Sequence, residues 1–413
     1  MDIAATQSDW NQSPAKSHFE QVHQGSGFRG VEVGQNPVLG DLRRRVRRVV
    51  RHDCFRVADH PEVSSNAKTK AILWNMNRRK FWEYSAALAV TTCASPLLLS
   101  AQAASASKSS PASDALNPSG VRVAGIRMIA VAGGKYKVWT KRIGSGPVKV
   151  LLLHGGPGFP HDYLEAMESF LPQAGIEMYY YDQLGVGNSD VPDDPALWTL
   201  PRYLTEVEEV RQGLGLDHFV LYGHSWGGIL AMEYALNYQQ HLRGLVISNM
   251  TAGTQSYLKR TAALKAQLLS PETLVRFNAL EATKDYENPA YTRIVMEDLY
   301  PQMICRLKPW PEPVTRAFRL GNEKIYNQMQ GKSEFEVTGN LKDWERWDRL
   351  TEIKVKALTI GSNHDEMDPG DMRKMATLMA NATSAICPNG SHMALWDDQA
   401  VYFRHLLAFL RSV

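Results

Sequence analysis

The chain of 413 residues carries only four cysteines, too few and too scattered for a disulfide-stapled scaffold. Cys54 and Cys93 precede the regularly patterned region, and Cys305 and Cys387 lie inside it. The sequence leaves open whether those two are bridged. No Cys/His cluster has metal-ligand spacing, so neither a metal nor any other cofactor is expected. Excess charge of one sign is also missing. The formal net charge is +3, and it is concentrated upstream. Residues 1–75 hold 11 Lys/Arg against 8 Asp/Glu, and residues 76–106 hold Arg78, Arg79 and Lys80 against Glu83. Residues 107–413 are left with a net charge of −2, which gives no basic surface for a nucleic acid. The run Arg43-Arg44-Arg45-Val46-Arg47-Arg48 lies outside the patterned region. No internal repeat is visible.

Long charge-free stretches are rare, and one of them has a recognisable form. Met76-Asn77-Arg78-Arg79-Lys80-Phe81-Trp82 precedes Tyr84–Ser107, which contains no charged residue. The stretch closes on Ala101-Gln102-Ala103-Ala104-Ser105-Ala106, with A-x-A cleavage sites. A basic start, an apolar middle and small residues at the end describe a signal peptide over residues 76–106, here of the twin-arginine type. Thr91, Thr92, Ser95, Pro96, Ser100 and Gln102 make the span a poor transmembrane anchor. The expected destination is periplasmic or secreted, with membrane contact only in transit; an unused signal leaves the protein cytoplasmic. Residues 1–75 show no sustained period and read as a disordered or mis-assigned upstream extension, with Met76 as the true start. Residues 107–120 read as a linker.

From Val121 onward short apolar runs alternate with helical spacing. Val121–Val131 and Tyr136–Ile143 read as an antiparallel pair around Gly133-Gly134. Val148–Leu153, Ile176–Tyr181, Phe219–Tyr222, Leu245–Ser248 and Ala357–Ile360 are apolar runs, most of them closing on a glycine or a polar residue. They predict buried parallel strands. Leu204–Leu214, Ile229–Tyr238 and Gln399–Leu410 have helical spacing. Residues 251–340 contain no clear strand and many helix-like segments. They are expected to form a helical cap inserted into a core made of residues 121–250 and 341–413.

Gly223-His224-Ser225-Trp226-Gly227 matches G-x-S-x-G and sits between a predicted strand and a predicted helix. In that setting the motif makes a tight turn that presents the serine hydroxyl above the sheet, as in α/β-hydrolases. Ser225 is therefore the expected nucleophile. It needs a base, and the base needs an acid to fix its tautomer. In the chain order of this fold, Asp365 after the Ala357–Ile360 strand is the expected acid, with Asp368 the alternative. His392, in Gly390-Ser391-His392-Met393 before the last helix, is the expected base. His405 lies within that helix and His364 on the acid's own loop, so neither suits the role. His224 reads as structural. His154-Gly155-Gly156-Pro157-Gly158 follows a strand, and its glycines permit close backbone approach. The Gly156 and Trp226 amides are the expected oxyanion donors.

Three segments together carry a family resemblance. They are His154–Gly158, Asp182-Gln183-Leu184-Gly185-Val186-Gly187-Asn188-Ser189, and Gly223–Gly228 with Trp after the serine. The chain resembles the proline iminopeptidases, including tricorn-interacting aminopeptidases and proline-amide hydrolases, over essentially all of Val121–Val413. The resemblance implies release of an N-terminal residue, often proline, from a peptide or amide. It also implies that Glu334 and Glu366 bind the substrate's free amine, a role that suits buried carboxylates. Lys332-Ser333 departs from the Pro-Asn that relatives often carry before that glutamate. An esterase, lactonase or acylase on the same scaffold is the competing reading, and a non-catalytic hydrolase-like binding protein is a third. Small peptides or amino-acid amides are the expected partners, and no nucleic acid is.

Overall fold

The computed structural model describes residues 124–413. The upstream extension, the signal, the linker, Cys54, Cys93 and the first three residues of the predicted Val121–Val131 strand lie outside the described residues.

An eight-stranded sheet runs in the order β1-β2-β4-β3-β5-β6-β7-β8. The strands are β1 (Ile126–Val131), β2 (Tyr136–Ile143), β3 (Val148–Leu153), β4 (Ile176–Tyr181), β5 (Phe219–His224), β6 (Leu242–Ser248), β7 (Ala357–Ser362) and β8 (Ala382–Cys387). β1 and β2 pair antiparallel, as do β2 and β4, while every pairing from β4 across to β8 is parallel. The hairpin between β1 and β2 turns on Gly133 and Gly134 at φ +66° and +87°, a region glycine enters without steric cost.

β5 and β6 outrun the apolar segments that predict them. Gly223 and His224 continue the ladder against Ile247 and Ser248, so backbone pairing extends a strand whose side-chain pattern has already changed. β8 carries no apolar run. It is an edge strand with several half-exposed or exposed positions, and its Ala-Thr-Ser sequence gives no burial signal.

Helices cover both faces. α1 (Leu200–Leu214) starts four residues before its predicted apolar spacing, because Pro201 is favourable in a first helical turn. It ends on Gly215 in the left-handed conformation. α2 (Trp226–Tyr238) follows β5 directly. Between β6 and β7 come α3 (Thr254–Leu268), α4 (Pro271–Ala282), an unbroken helical stretch over residues 289–303, α5 (Glu312–Arg319) and α6 (Glu323–Met329). α7 (Pro369–Leu378) joins β7 to β8, and α8 (Gln399–Leu410) closes the fold. Among the described residues no helix is long and apolar enough to cross a membrane.

Side chains alternate across the sheet, and both faces are buried. Val150 and Leu152 pack in one cluster with Tyr163, Leu164, Tyr402 and Phe403. Leu151 and Leu153 pack in the other with Val207, Val210, Ile229 and Leu230. Burial on both sides explains why these strands read as continuous apolar runs. The turn from β5 into α2 fits against β3 with no spare room. A Cβ on Gly227 would lie 2.2 Å from the Leu153 carbonyl oxygen, and one on Gly223 would lie 2.0 Å from that of Gly227. Gly227→Ala is accordingly expected to cost at least about 2 kcal/mol of unfolding free energy, the range of core overpacking. Urea denaturation measures this; a change within about 0.5 kcal/mol, the scale of surface substitutions, contradicts the close packing.

Candidate active site

The loops leaving the carboxyl ends of β3, β5, β6, β7 and β8 meet above the sheet, where open α/β sheets bind ligands. Ser225 caps α2 at φ +56°, ψ −127°. A non-glycine residue held there costs on the order of 1–3 kcal/mol, a cost the surrounding packing must offset. Its N–H donates to the Ser248 carbonyl at 3.0 Å, and its own carbonyl accepts from Gly228 N at 2.6 Å. Ser225 lines a cavity with Gly155, Gly156, Tyr163, Glu334, Glu366 and His392.

His392 Nδ1 lies 2.9 Å from Asp365 Oδ1. Asp365 is fully buried. Its Oδ2 accepts from Asn249 Nδ2 at 2.6 Å, and its Oδ1 also accepts from the Met367 amide at 3.1 Å. Asp368, the alternative acid, instead caps α7 by accepting from Gly370 N at 2.7 Å. Burial of His392 opposes its charged form, but the carboxylates of Asp365, Glu366 and Glu334 outweigh that and raise its pKa to about 9.

The three motif segments interlock through side chains. Gln183 Nε2 donates to the His154 carbonyl at 3.1 Å, and Gln183 Oε1 accepts from the Trp226 indole at 2.8 Å. Gln183 N donates to His154 Nε2 at 2.9 Å, leaving Nδ1–H to reach the Gly155 carbonyl at 3.1 Å. Burial pushes His154 down to about 4, so its ring stays neutral. Asp182 accepts from His161 N and Nδ1 at 3.0 and 2.7 Å, and from Asn188 N and Nδ2 at 2.9 and 3.0 Å. Burial works against its charge, yet the His161 contact leads the interactions that hold its pKa at about 2. Gly156 and Trp226 border the second cavity beside Ser225. Trp226 is the first residue of α2, so its amide is one of the helix-start donors that no carbonyl of the helix satisfies.

Glu334 and Glu366 border both cavities. Glu366 is 3% exposed, and its Oε1 is 3.7 Å from His392 Nδ1. Its Oε2 is buried with no hydrogen-bond partner in the chain. Burial first, and the neighbouring Glu334 next, push its pKa well above the carboxylate range. Glu334 is oriented by tyrosines: Tyr257 donates to its carboxylate at 2.7 Å, and Tyr326 and Tyr300 reach the other oxygen. The departing residue Ser333 is buried. Its hydroxyl pairs with Tyr291 at 2.7 Å and accepts from Phe335 N at 3.0 Å, which anchors the turn that carries Glu334.

Several site residues escaped sequence reading. Asn249 holds the Asp365 carboxylate from the end of β6, at φ +50°. Arg260 of α3 donates to the carbonyls of Asp365 and Asn363 at 3.3 and 3.1 Å. Tyr163 approaches from the segment after β3. Their partners lie more than a hundred positions away in two of the three cases, so no local motif marks them. Cys305 and Cys387 are buried free thiols, each pushed up to about 12 chiefly by burial. Among the described residues no group of three His, Cys, Asp or Glu is arranged to hold a metal ion.

Comparison with known proteins adds to this geometry. The family described as "alpha/beta hydrolase fold" matches residues 149–399. A proline iminopeptidase of Flavobacterium johnsoniae is 46% identical over 283 residues, covering 68% of this chain and 95% of that one. One from Chitinophaga pinensis is 47% identical over 285 residues, with the same coverage. The crystal structure of a Mycobacterium smegmatis proline iminopeptidase superposes with a TM-score of 0.64 at 27% identity, over 70% of this chain and 98% of that one.

The carboxylates around His392 have a consequence for pH. A base works only when neutral, so a raised pKa makes kcat/KM for an uncharged ester climb with pH toward about 9. Removing negative charge destabilises the imidazolium. The double variant Glu334→Gln/Glu366→Gln is thus expected to move that acid limb to lower pH, toward ordinary imidazole. A pH–rate profile measures it, and a limb that stays in place or moves upward contradicts the assignment.

Proposed function

We propose that this chain, which belongs to the proline iminopeptidase family of α/β-hydrolases, releases an N-terminal residue, with proline the leading candidate, from small peptides or amino-acid amides through a Ser225-His392-Asp365 acyl-enzyme mechanism. That it is a hydrolase of the prolyl aminopeptidase type follows from its relatives. The observation that carries the finer reading is the pair of carboxylates facing the nucleophile's cavity, one of them with a buried oxygen that has no partner. A buried carboxylate without a counter-charge is costly, and a substrate ammonium supplies that charge together with hydrogen bonds.

In this mechanism His392 takes the Ser225 hydroxyl proton as Oγ bonds to the carbonyl carbon of the first residue. The oxyanion accepts from the Gly156 and Trp226 amides. Collapse breaks the scissile C–N bond, and His392 returns the proton to the leaving amine. Water, deprotonated by the same base, then attacks the ester. The free residue departs and Ser225 recovers its proton. Asp365 keeps Nδ1–H directed toward itself, so Nε2 is the nitrogen that exchanges protons.

Amine recognition separates this reading from an esterase or lactonase. Glu334→Gln and Glu366→Gln are each expected to lower kcat/KM on a prolyl arylamide by at least about tenfold, equal to about 1.4 kcal/mol. Hydrolysis of an uncharged ester is expected to fall much less. Equal losses on both substrates, or none on the arylamide, reject the amine-binding assignment.

We also propose export through the segment beginning at Met76, whose paired Arg78 and Arg79 precede a charge-free span. Expressed from Met76, the protein is expected outside the cytoplasm with a new N-terminus near Ala106. Arg78→Lys combined with Arg79→Lys is expected to retain the uncleaved form. Cell fractionation and N-terminal sequencing decide this, and unchanged export of the double variant rejects the twin-arginine route.

A further inference from the structure

We propose that His224 and Tyr163 are positioning residues, joined in one directional hydrogen-bond relay that keeps the backbone of His392 in register with the oxyanion loop at Gly155. The relay runs Gly155 N to Tyr163 Oη at 2.6 Å, Tyr163 Oη to His224 Nδ1 at 3.0 Å, and His224 Nε2 to the His392 carbonyl at 2.9 Å.

Its direction is forced by its two ends. A backbone N–H only donates and a backbone carbonyl only accepts. His224 therefore carries its proton on Nε2 and offers Nδ1 as a bare acceptor. The Tyr163 hydroxyl then donates to His224 and accepts from Gly155, so every hydrogen bond of the relay has a fixed direction. A doubly protonated His224 would turn Nδ1 into a donor and break the sequence. Burial, helped by the nearby His392 ring at 4.8 Å, keeps His224 neutral.

The relay joins three loops that meet only in the folded protein. Gly155 precedes the proposed oxyanion donor Gly156, His224 precedes Ser225, and the far end is the base residue itself. The main chain of His392 is fixed on its other side, where its N–H donates to the Met303 carbonyl at 2.9 Å. Gly155 has little freedom, since a Cβ there would meet Ser225 Cβ at 2.9 Å and Tyr163 Oη at 3.0 Å. The residue before Ser225 thus needs a donor and an acceptor on one flat group. Glutamine has both and leucine has neither.

This inference rests on the serine-hydrolase reading of Ser225. The test uses the full chain, with active sites titrated by a fluorophosphonate probe, thermal unfolding recorded, and turnover measured on a prolyl arylamide. His224→Leu and Tyr163→Phe are each expected to lose on the order of a hundredfold in kcat per titrated site, the scale of a small misplacement of reacting groups. KM is expected to stay within about twofold. His224→Gln is expected to recover kcat to within about threefold of the parent, because it rebuilds both hydrogen bonds. The double variant His224→Leu/Tyr163→Phe is expected to lose no more than the worse single one, since both break the same chain. Tyr163→Phe keeps the ring, so it remains informative if His224→Leu does not fold. The proposal is overturned by single variants that lower only the melting temperature while keeping kcat per titrated site. It is equally overturned by additive losses, or by a glutamine variant as slow as the leucine one. Failure of the parent protein to label at Ser225 removes the serine-hydrolase premise and this inference with it.

Discussion

Ser225 stands on a backbone conformation that its own side chain disfavours, and two glycines give the close backbone packing that holds it there. Gly227 lies against the Leu153 carbonyl of the adjacent strand, and Gly223 against the carbonyl of Gly227. With no room for a Cβ at either position, β5 must turn into α2 over a single residue. That turn aims the helix N-terminus and the serine hydroxyl at the same point above the sheet. It also places His224 and Trp226 on either side of Ser225, where each meets a different loop.

The motifs act as one object because their polar side chains satisfy each other. His154, Gln183 and the Trp226 indole are joined by three hydrogen bonds that cross between segments, and the remaining His154 N–H is satisfied by the adjacent Gly155 carbonyl. Asp182 collects four donors and organises the Asn188 turn below it. Buried polar networks of this kind stabilise only when complete, so loss of one member leaves the others unpaired. This gives a physical reason for three separated sequence segments to occur together.

Charge is distributed with equal purpose. Asp365 is surrounded by donors from Asn249, Met367 and His392, whereas Glu366, one residue later, retains an oxygen without any. Glu334 enters from the turn that follows α6, and tyrosine hydroxyls orient it. The helices between β6 and β7 are in turn tied to the segment that follows β3: Arg316 of α5 bridges Glu165 at 2.6 Å and also pairs with Asp162. Carboxylates held this way raise the basicity of His392.

How much was legible in the sequence depended on the range of the interaction. Buried strands announced themselves because both faces are covered, whereas the edge strand β8 did not. The strand–turn–helix at Ser225 and the glycine loop after β3 were readable because a tight turn and a helix start impose local residue types. Glu334 and Glu366 were reached only through family resemblance, since nothing local marks an acid as cavity-facing. Asn249, Tyr163 and Arg260 were invisible, as was the part His224 plays between two loops. Local sterics and burial pattern were thus determined by the sequence itself. That His392 meets Asp365 and not Asp368, the tautomer of His224 and the pairing of two glutamates around one cavity were decided only by tertiary structure. Hydrogen-bond partners and electric fields belong to groups brought together by the fold, and their separation along the chain carries no trace of them.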